Sequence, residues 1–146
     1  MKRLLPILFL LLTGILTACD KFHTSGNGKL DGYWQLTNVD SLPAEQKADV
    51  RELMVFWAVQ TDLLEMRDFR AGHANVIFHF EHKGNQLRLY DPIVNDRPIS
   101  DSIVKDVGTI GYYGLSHLAE TLQVLRLTGS EMTLQSERLR MYFRKY

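Results

Sequence analysis

The chain of 146 residues has little cysteine, little proline and no net charge, and these shortages exclude several classes of protein. Its one cysteine, Cys19, has no partner for an intramolecular disulfide, so the fold must depend on a hydrophobic core. Basic and acidic residues number 17 each and are interspersed, which gives no clustered basic face for nucleic acid. The longest apolar stretch, residues 4–16, is too short to cross a hydrocarbon layer of about 30 Å as a helix.

The first 19 residues have the order of a bacterial lipoprotein signal. Lys2 and Arg3 precede the apolar stretch, and Leu16-Thr17-Ala18-Cys19 follows it. A basic start, a short apolar segment and small residues before the cleavage point are typical of a secretory signal, so residues 1–18 are predicted to be removed. Cys19 would then carry diacylglycerol and acyl chains such as palmitate, which would anchor the protein in a membrane. The alternative is an ordinary signal peptide followed by a chance cysteine.

The rest of the chain is predicted to hold a linker and one domain. Residues 20–29 have no apolar period and include Gly26 and Gly28, so residues 19–29 are interpreted as a lipidated flexible linker. Residues 30–146 have the length of a single domain, and a chain of that size can bury roughly two-thirds of its unfolded surface.

Alternating apolar residues predict an antiparallel sheet. Val76, Phe78 and Phe80 share one parity, a turn follows at residues 83–86, and inward parity resumes at Leu87. Eight strands are enough to close a sheet on itself and remove its edges, which predicts an all-β fold with a single up-and-down barrel. The eight predicted strands are 32–39, 51–59, 62–69, 73–82, 86–91, 122–128, 131–136 and 138–145.

Two segments interrupt this pattern. Residues 44–49 contain helix-forming residues after Ser41-Leu42-Pro43, which predicts a short helix. Residues 92–121 form a long insertion with apolar residues at helical spacing, among them Ile103 and Val107, followed by a segment rich in glycine and tyrosine. An insertion of this length in a compact domain is either functional or an unrecognised structural element.

The sequence Gly32-Tyr33-Trp34 on the first predicted strand resembles the start of the lipocalin and wider calycin families. The ending, residues 139–146, resembles the last strand of lipocalin-like lipoproteins common in Bacteroidetes. The resemblance implies that Trp34 closes one end of the barrel and that an arginine of the last strand, Arg140 or Arg144, packs across the indole. A guanidinium on an indole face contributes about 0.5–2 kcal/mol.

The aromatic residues support two interpretations of the barrel interior. A packed core is one, and a cavity for an apolar ligand is the other. Residues 53–59 are apolar on both parities, so the outward face of that strand must be covered by the 44–49 helix, the insertion or a partner protein. The glycine-flanked tyrosines of the insertion form either a lid or a loop packed onto the barrel. The candidate ligand-binding residues are Phe56, Trp57, Phe78, Phe80, Tyr112 and Tyr113.

Metal binding and catalysis find little support. His79 and His82 have opposite parity, and His73 and His79 would stand about 20 Å apart on a strand, too far for one ion. Ser116-His117 with Glu120, and Ser100 with Asp101, are neighbours in sequence and do not by themselves define a catalytic triad. We therefore expect no enzyme activity, no metal and no cofactor.

Two functions remain open. The first is non-catalytic binding of a small apolar or amphipathic ligand by a membrane-anchored lipoprotein, and the second is a protein-interaction or structural role in a cell-envelope complex with a solid barrel. Asp20 after the cysteine would retain an enterobacterial lipoprotein in the inner membrane. That rule need not hold in the group this chain resembles, so the outer membrane is the expected location.

Overall fold

The computed structural model describes residues 25–95 and 102–146, which fold into one antiparallel β-barrel. No helix in these two ranges is long and apolar enough to cross a membrane. The predicted signal sequence, Cys19, Ser100 and Asp101 lie outside the described residues. The strands are β1 (Gly32–Ser41), β2 (Gln46–Asp49), β3 (Val55–Gln60), β4 (Leu63–Asp68), β5 (Val76–Lys83), β6 (Gln86–Val94), β7 (Ser102–Ile103), β8 (Glu120–Leu127), β9 (Glu131–Gln135) and β10 (Leu139–Lys145).

Eight of these strands form a closed ring. The order around it is β1-β3-β4-β5-β6-β8-β9-β10, and the pairing of β10 with β1 closes it. Every pairing is antiparallel, so the predicted eight-stranded barrel and its all-β class are confirmed. The two short strands lie outside the ring, with β2 paired to β1 and β7 paired to β6.

Every second side chain of each strand points into the barrel and fills its interior, because successive side chains point to opposite faces of a sheet. Val76, Phe78 and Phe80 of β5 are buried inside, as their shared parity predicted. Parity fails in β8, where a bulge between Val124 and Arg126 leaves Leu125 half exposed. A bulge inserts one residue into a strand and so reverses which side chains face inward.

The predicted helix at residues 44–49 is wrong. Gln46–Asp49 forms β2 and pairs with residues 38–41 of β1, after a turn in which Glu45 has a φ of 50°. All four β2 residues are exposed. Helix propensity is a weak local preference, and hydrogen bonds to the free upper edge of β1 override it here.

The lower end of the barrel is closed by the residues that precede β1. A 3-10 turn, Gly28–Leu30, places Leu30 beneath the ring with no accessible surface. The indole Nε1 of Trp34 donates a hydrogen bond to the Leu30 carbonyl oxygen at 2.8 Å. Residues 25–29, expected in the flexible linker, are held against this end, since the Asn27 side chain donates to the Thr61 carbonyl oxygen.

Lys145, rather than Arg140 or Arg144, is the cation over Trp34. Its Nζ lies 4.8 Å from the centre of the indole ring and donates to the Lys29 carbonyl oxygen at 3.0 Å. Strand parity explains why the lysine reaches the indole and the arginines do not. Lys145 shares the inward parity of Phe143, whereas Arg140 and Arg144 point outward. Arg140 donates instead to the side chain of Gln135.

The backbone conformation at Gly32 explains why a glycine stands two residues before Trp34. Its φ of 123° is a conformation that other residues rarely adopt, and a Cβ atom built there would lie 2.8 Å from Cε of Lys145. Glycine at this position therefore lets the lysine side chain cross the strand and reach the indole.

The upper end is closed by the second half of the insertion. A single helical turn, α1 (Gly108–Gly111), and the residues around it bring Ile110, Tyr113 and Leu115 into the core. The backbone passes close to β10 at Gly114, where a Cβ atom would lie 2.6 Å from the sulfur of Met141. We call residues 104–115 the upper plug.

Candidate functional site

The barrel interior between the two closures is the candidate binding site. Trp57, Phe78 and Phe80 point into it, as predicted. Trp57 lies against Phe143, with ring centres 4.9 Å apart. Most inward side chains of the described residues have no surface accessible to water, so the interior they line is packed in this conformation. A ligand would therefore have to displace side chains or open one end.

Phe56 is not part of this interior, and its predicted ligand-binding role there is wrong. It points outward from β3 and is covered by Tyr33, Phe69 and Tyr146. These rings account for the outward apolar face of β3, so within the described residues neither a 44–49 helix nor the insertion covers it. Phe56 retains only 4% exposure.

Trp57 carries one of the two buried side-chain nitrogens that lack a hydrogen-bond partner among the described residues; the other is Nε2 of His82, which shares the inward parity of Phe80 on β5. The indole Nε1 of Trp57 is fully buried and has no hydrogen-bond acceptor, whereas the Nε1 of Trp34 is satisfied by Leu30. A buried donor without an acceptor costs about 1–3 kcal/mol. The sequence could not reveal this difference, because both tryptophans have inward parity.

The two tyrosines of the upper plug have different environments. Tyr113 is fully buried, and its hydroxyl donates to the Ala74 carbonyl oxygen at 2.8 Å. Tyr112 is half-buried and stacks on the imidazole of His73, with ring centres 3.5 Å apart. The plug is thus attached to the loop between β4 and β5 through both rings.

Asp68 organises that loop. Its side chain is 1% exposed and accepts hydrogen bonds from the backbone N–H groups of Arg70 and Gly72. His73 Nδ1 lies 3.0 Å from Oδ2 of Asp68, and since a carboxylate only accepts, this nitrogen carries the proton. Burial alone would raise the pKa of Asp68, but these hydrogen bonds outweigh it and hold the pKa below its ordinary value of 3.8.

This shift predicts acid sensitivity. The folded carboxylate takes up a proton less readily than the unfolded one, so its contribution to stability is complete above a pH of about 4 and is lost as the pH falls through the lowered native pKa. We expect Asp68→Asn to be less stable than wild type at neutral pH, with a difference in unfolding free energy that narrows in acid. Urea unfolding over a pH series measures this difference. Asp62→Asn, a change at an exposed carboxylate, is the control. A difference that stays constant with pH would contradict this role of Asp68.

The serine and histidine candidates form a turn. Oε2 of Glu120 accepts the backbone N–H groups of Ser116 and His117, so the carboxylate holds the chain rather than orienting the imidazole. These residues line an open depression of about 270 Å³. In the described residues, no group of three or more potential ligands is placed to hold a metal ion.

A larger groove lies outside the barrel, on β1, β2, β9 and β10. It has a volume of about 770 Å³, is open to solvent and is lined by both basic and acidic side chains. Two of its arginines are neutralised by ion pairs, Arg51 with Asp49 and Arg126 with Glu131. The groove therefore offers a mixed polar surface rather than a binding site for one kind of charge.

The ring of eight strands, closed at one end by a tryptophan and a cation, defines a small antiparallel barrel of the ligand-binding type. A family model described as a lipocalin-like domain matches residues 14–146, and the chain belongs to that family. The resemblance drawn from residues 32–34 and 139–146 is confirmed.

Solved structures agree with this assignment. A lipocalin-like protein from Bacteroides uniformis has a TM-score of 0.62 and 21% identity, over 82% of this chain and 100% of that one. An uncharacterized protein from Bacteroides eggerthii has a TM-score of 0.54 and 18% identity, over 80% and 98%. Identities this low establish the fold alone. No curated protein matches the chain.

Proposed function

We propose that the protein is a lipid-anchored lipoprotein of the bacterial cell envelope that binds a small amphipathic molecule in its barrel without chemical conversion. The unpaired indole N–H of Trp57 carries this proposal. A largely apolar interior in which this donor has no partner among the described residues matches a ligand that combines a hydrocarbon body with an acceptor oxygen, because apolar binding sites use a few polar groups to fix orientation.

The upper plug is the proposed entrance. At the lower end, Trp34, Leu30 and Lys145 are joined by hydrogen bonds and a cation–π contact. The plug is held by one side-chain hydrogen bond, from the Tyr113 hydroxyl to Ala74, by the stacking of Tyr112 on His73, and by the packing of apolar side chains such as Ile110. Methionines in the wall are flexible enough to make room for a ligand. They are Met66, Met132 and Met141.

The two indole N–H groups give a test with an internal control. The chain has two tryptophans, so a nitrogen-15 spectrum of the protein shows two indole signals. On titration with laurate, an amphipathic carboxylate, we expect the Trp57 signal to move downfield as the N–H gains an acceptor. The Trp34 signal should stay in place, since its acceptor is already present. Trp57→Phe assigns the signals and should weaken laurate binding.

A Trp57 signal that does not respond to laurate or to an envelope lipid extract would contradict ligand binding at this site. A shift of both signals by similar amounts would indicate a general loosening of the barrel. That result would also contradict ligand binding at this site.

The anchor is tested separately at Cys19. Cys19→Ser removes the thiol that would carry the lipid, so we expect the variant to lack acyl groups by mass spectrometry and to leave the detergent-extracted membrane fraction. An unacylated variant that remains in that fraction as wild type does would contradict the anchor. The same fractionation on separated inner and outer membranes tests the expected outer-membrane location.

A second function, as an interaction or structural subunit of an envelope complex, is favoured by one observation. The interior lined by the described residues is packed, which a purely structural barrel would require. Isolation of the lipoprotein in a stoichiometric complex with a second envelope protein, with no small molecule bound, would support this function over the first.

A further inference from the structure

The outer face of the barrel carries an aromatic surface that the ligand proposal does not use. We call it the outer aromatic patch, and it consists of Tyr33, Phe56, Phe69 and Tyr146. Ring centres lie 5.0 Å apart for Phe56 and Phe69, and 5.5 Å for Phe56 and Tyr146. These contacts bury Phe56 but leave Phe69 56% exposed and Tyr146 79% exposed. Large rings left in water in one cluster are typical of an interaction site.

One edge of the patch, formed by Tyr33 and Tyr146, lies beside the point where the N-terminal chain reaches the barrel, whereas Phe69 lies at the start of the loop between β4 and β5. The backbone N–H of Tyr146 donates to the carbonyl oxygen of Tyr33, so both rings stand at the lower end. Asp31, two residues before Tyr33, accepts hydrogen bonds from Ser25 and Asn27. These bonds fix the first described residues close to the patch.

The chain length then limits how far the patch can be from a lipid anchor. Six residue steps separate Cys19 from Ser25, and an extended chain covers at most about 3.3–3.6 Å per residue. If Cys19 is acylated, Ser25 therefore remains within roughly 20 Å of the membrane surface. A tether this short presents the lower end of the barrel to the bilayer at a high effective concentration.

The chemistry of the patch suits the boundary between lipid headgroups and acyl chains. Tyrosine is enriched there because it has an apolar ring and a polar tip. Arg144 points outward from β10 two residues before Tyr146, and it forms no ion pair with a described acidic residue. Arg67 lies over the Tyr33 ring at 5.7 Å, although it also pairs with Glu65. Basic groups beside the rings favour an anionic surface.

We propose that the outer aromatic patch rests on the membrane beside the lipid anchor and fixes the orientation of the barrel. This inference rests on the proposed acylation of Cys19 and is independent of ligand binding in the interior. The side of the barrel formed by β3 would face the bilayer, and β8, four strands away around the ring, would face away from it.

Single-cysteine labelling of the full acylated chain tests this orientation. Cys19 is the only native cysteine and would be blocked by lipid, so Phe69→Cys and Leu125→Cys each provide one free thiol. Leu125 is the matched control, because it is an apolar residue of β8 with 50% exposure. Each variant is labelled with an environment-sensitive fluorophore and reconstituted in phosphatidylethanolamine and phosphatidylglycerol vesicles that contain lipids with nitroxide headgroups. Tyr146→Cys is a second patch variant, at a residue that is 79% exposed.

We expect the labels at residues 69 and 146 to be quenched several-fold more than the label at residue 125. Equal quenching at the three positions, in protein that floats with the vesicles, would overturn the orientation but leave the anchor intact. Failure of all variants to float would contradict the anchor and this proposal with it. Patch labels that are unquenched in vesicles but shielded in native membranes would mean that a protein covers the patch, which also overturns the proposal.

Discussion

Replacing Trp34 by alanine is expected to lower the free energy of unfolding by about 3–5 kcal/mol, the range for deletion of a large buried aromatic side chain. The side chain has no accessible surface, its Nε1 satisfies the Leu30 carbonyl oxygen, and Lys145 lies on its face. The change removes all three contacts and opens the lower end. Chemical denaturation of the purified protein measures the loss.

Leu125→Ala provides the control, since a half-exposed side chain on β8, three strands away from β1 around the ring, should change stability by less than about 1 kcal/mol. If Trp34→Ala unfolds within error of wild type, the barrel is not closed by this residue. The account of the lower end would then fail.

The second large effect is expected at the upper plug. Tyr113→Ala should cost about 3–5 kcal/mol, because it leaves a cavity beneath the plug. Tyr113→Phe keeps the ring and loses only the hydrogen bond to Ala74, so its cost should be about 0.5–1.5 kcal/mol. Tyr112→Ala should cost less than Tyr113→Ala, since the Tyr112 ring is half-buried.

Thermal unfolding of these three variants separates a packed plug from a free lid. A free lid would tolerate Tyr113→Ala with little change in the unfolding midpoint. That result would contradict the fully buried position of the ring, and the upper end would then be open for most of the time.

The barrel itself could be predicted from the sequence because apolar and polar residues alternate along its strands and so mark which face of each strand is buried. Each of the eight predicted strands overlaps an observed strand of the ring, and the predicted inward parity holds for Phe78, Met132 and Met141. Alternation is informative in this fold because one face of each strand is buried and the other is largely solvated.

The errors occur where local sequence and tertiary contacts disagree. Residues 46–49 have helical composition but are held as a strand by the edge of β1. Phe56 is buried as predicted, yet on the outside, because Phe69 and Tyr146 come from distant parts of the chain to cover it. Only the assembled barrel brings these rings together.

Two features of the candidate site had no visible signal in the sequence. The position of Lys145 over Trp34, by contrast, did have a signal, because Lys145 shares the inward parity of Phe143 on the last strand. The free N–H of Trp57 could not have been found in this way, since it depends on which of the described residues surround the indole, and none of them offers an acceptor. The Asp68 network likewise depends on the conformation of residues 68–73.

Native mass spectrometry of the protein, produced from its full sequence in bacteria and released gently from them, tests the central claim most directly. We predict a population heavier than the covalent protein by the mass of one small molecule, which dissociates on mild activation and is lost in Trp57→Phe. A single species at the mass of the covalent protein alone, under the gentlest release conditions and for wild type and variant alike, would contradict ligand binding by the barrel.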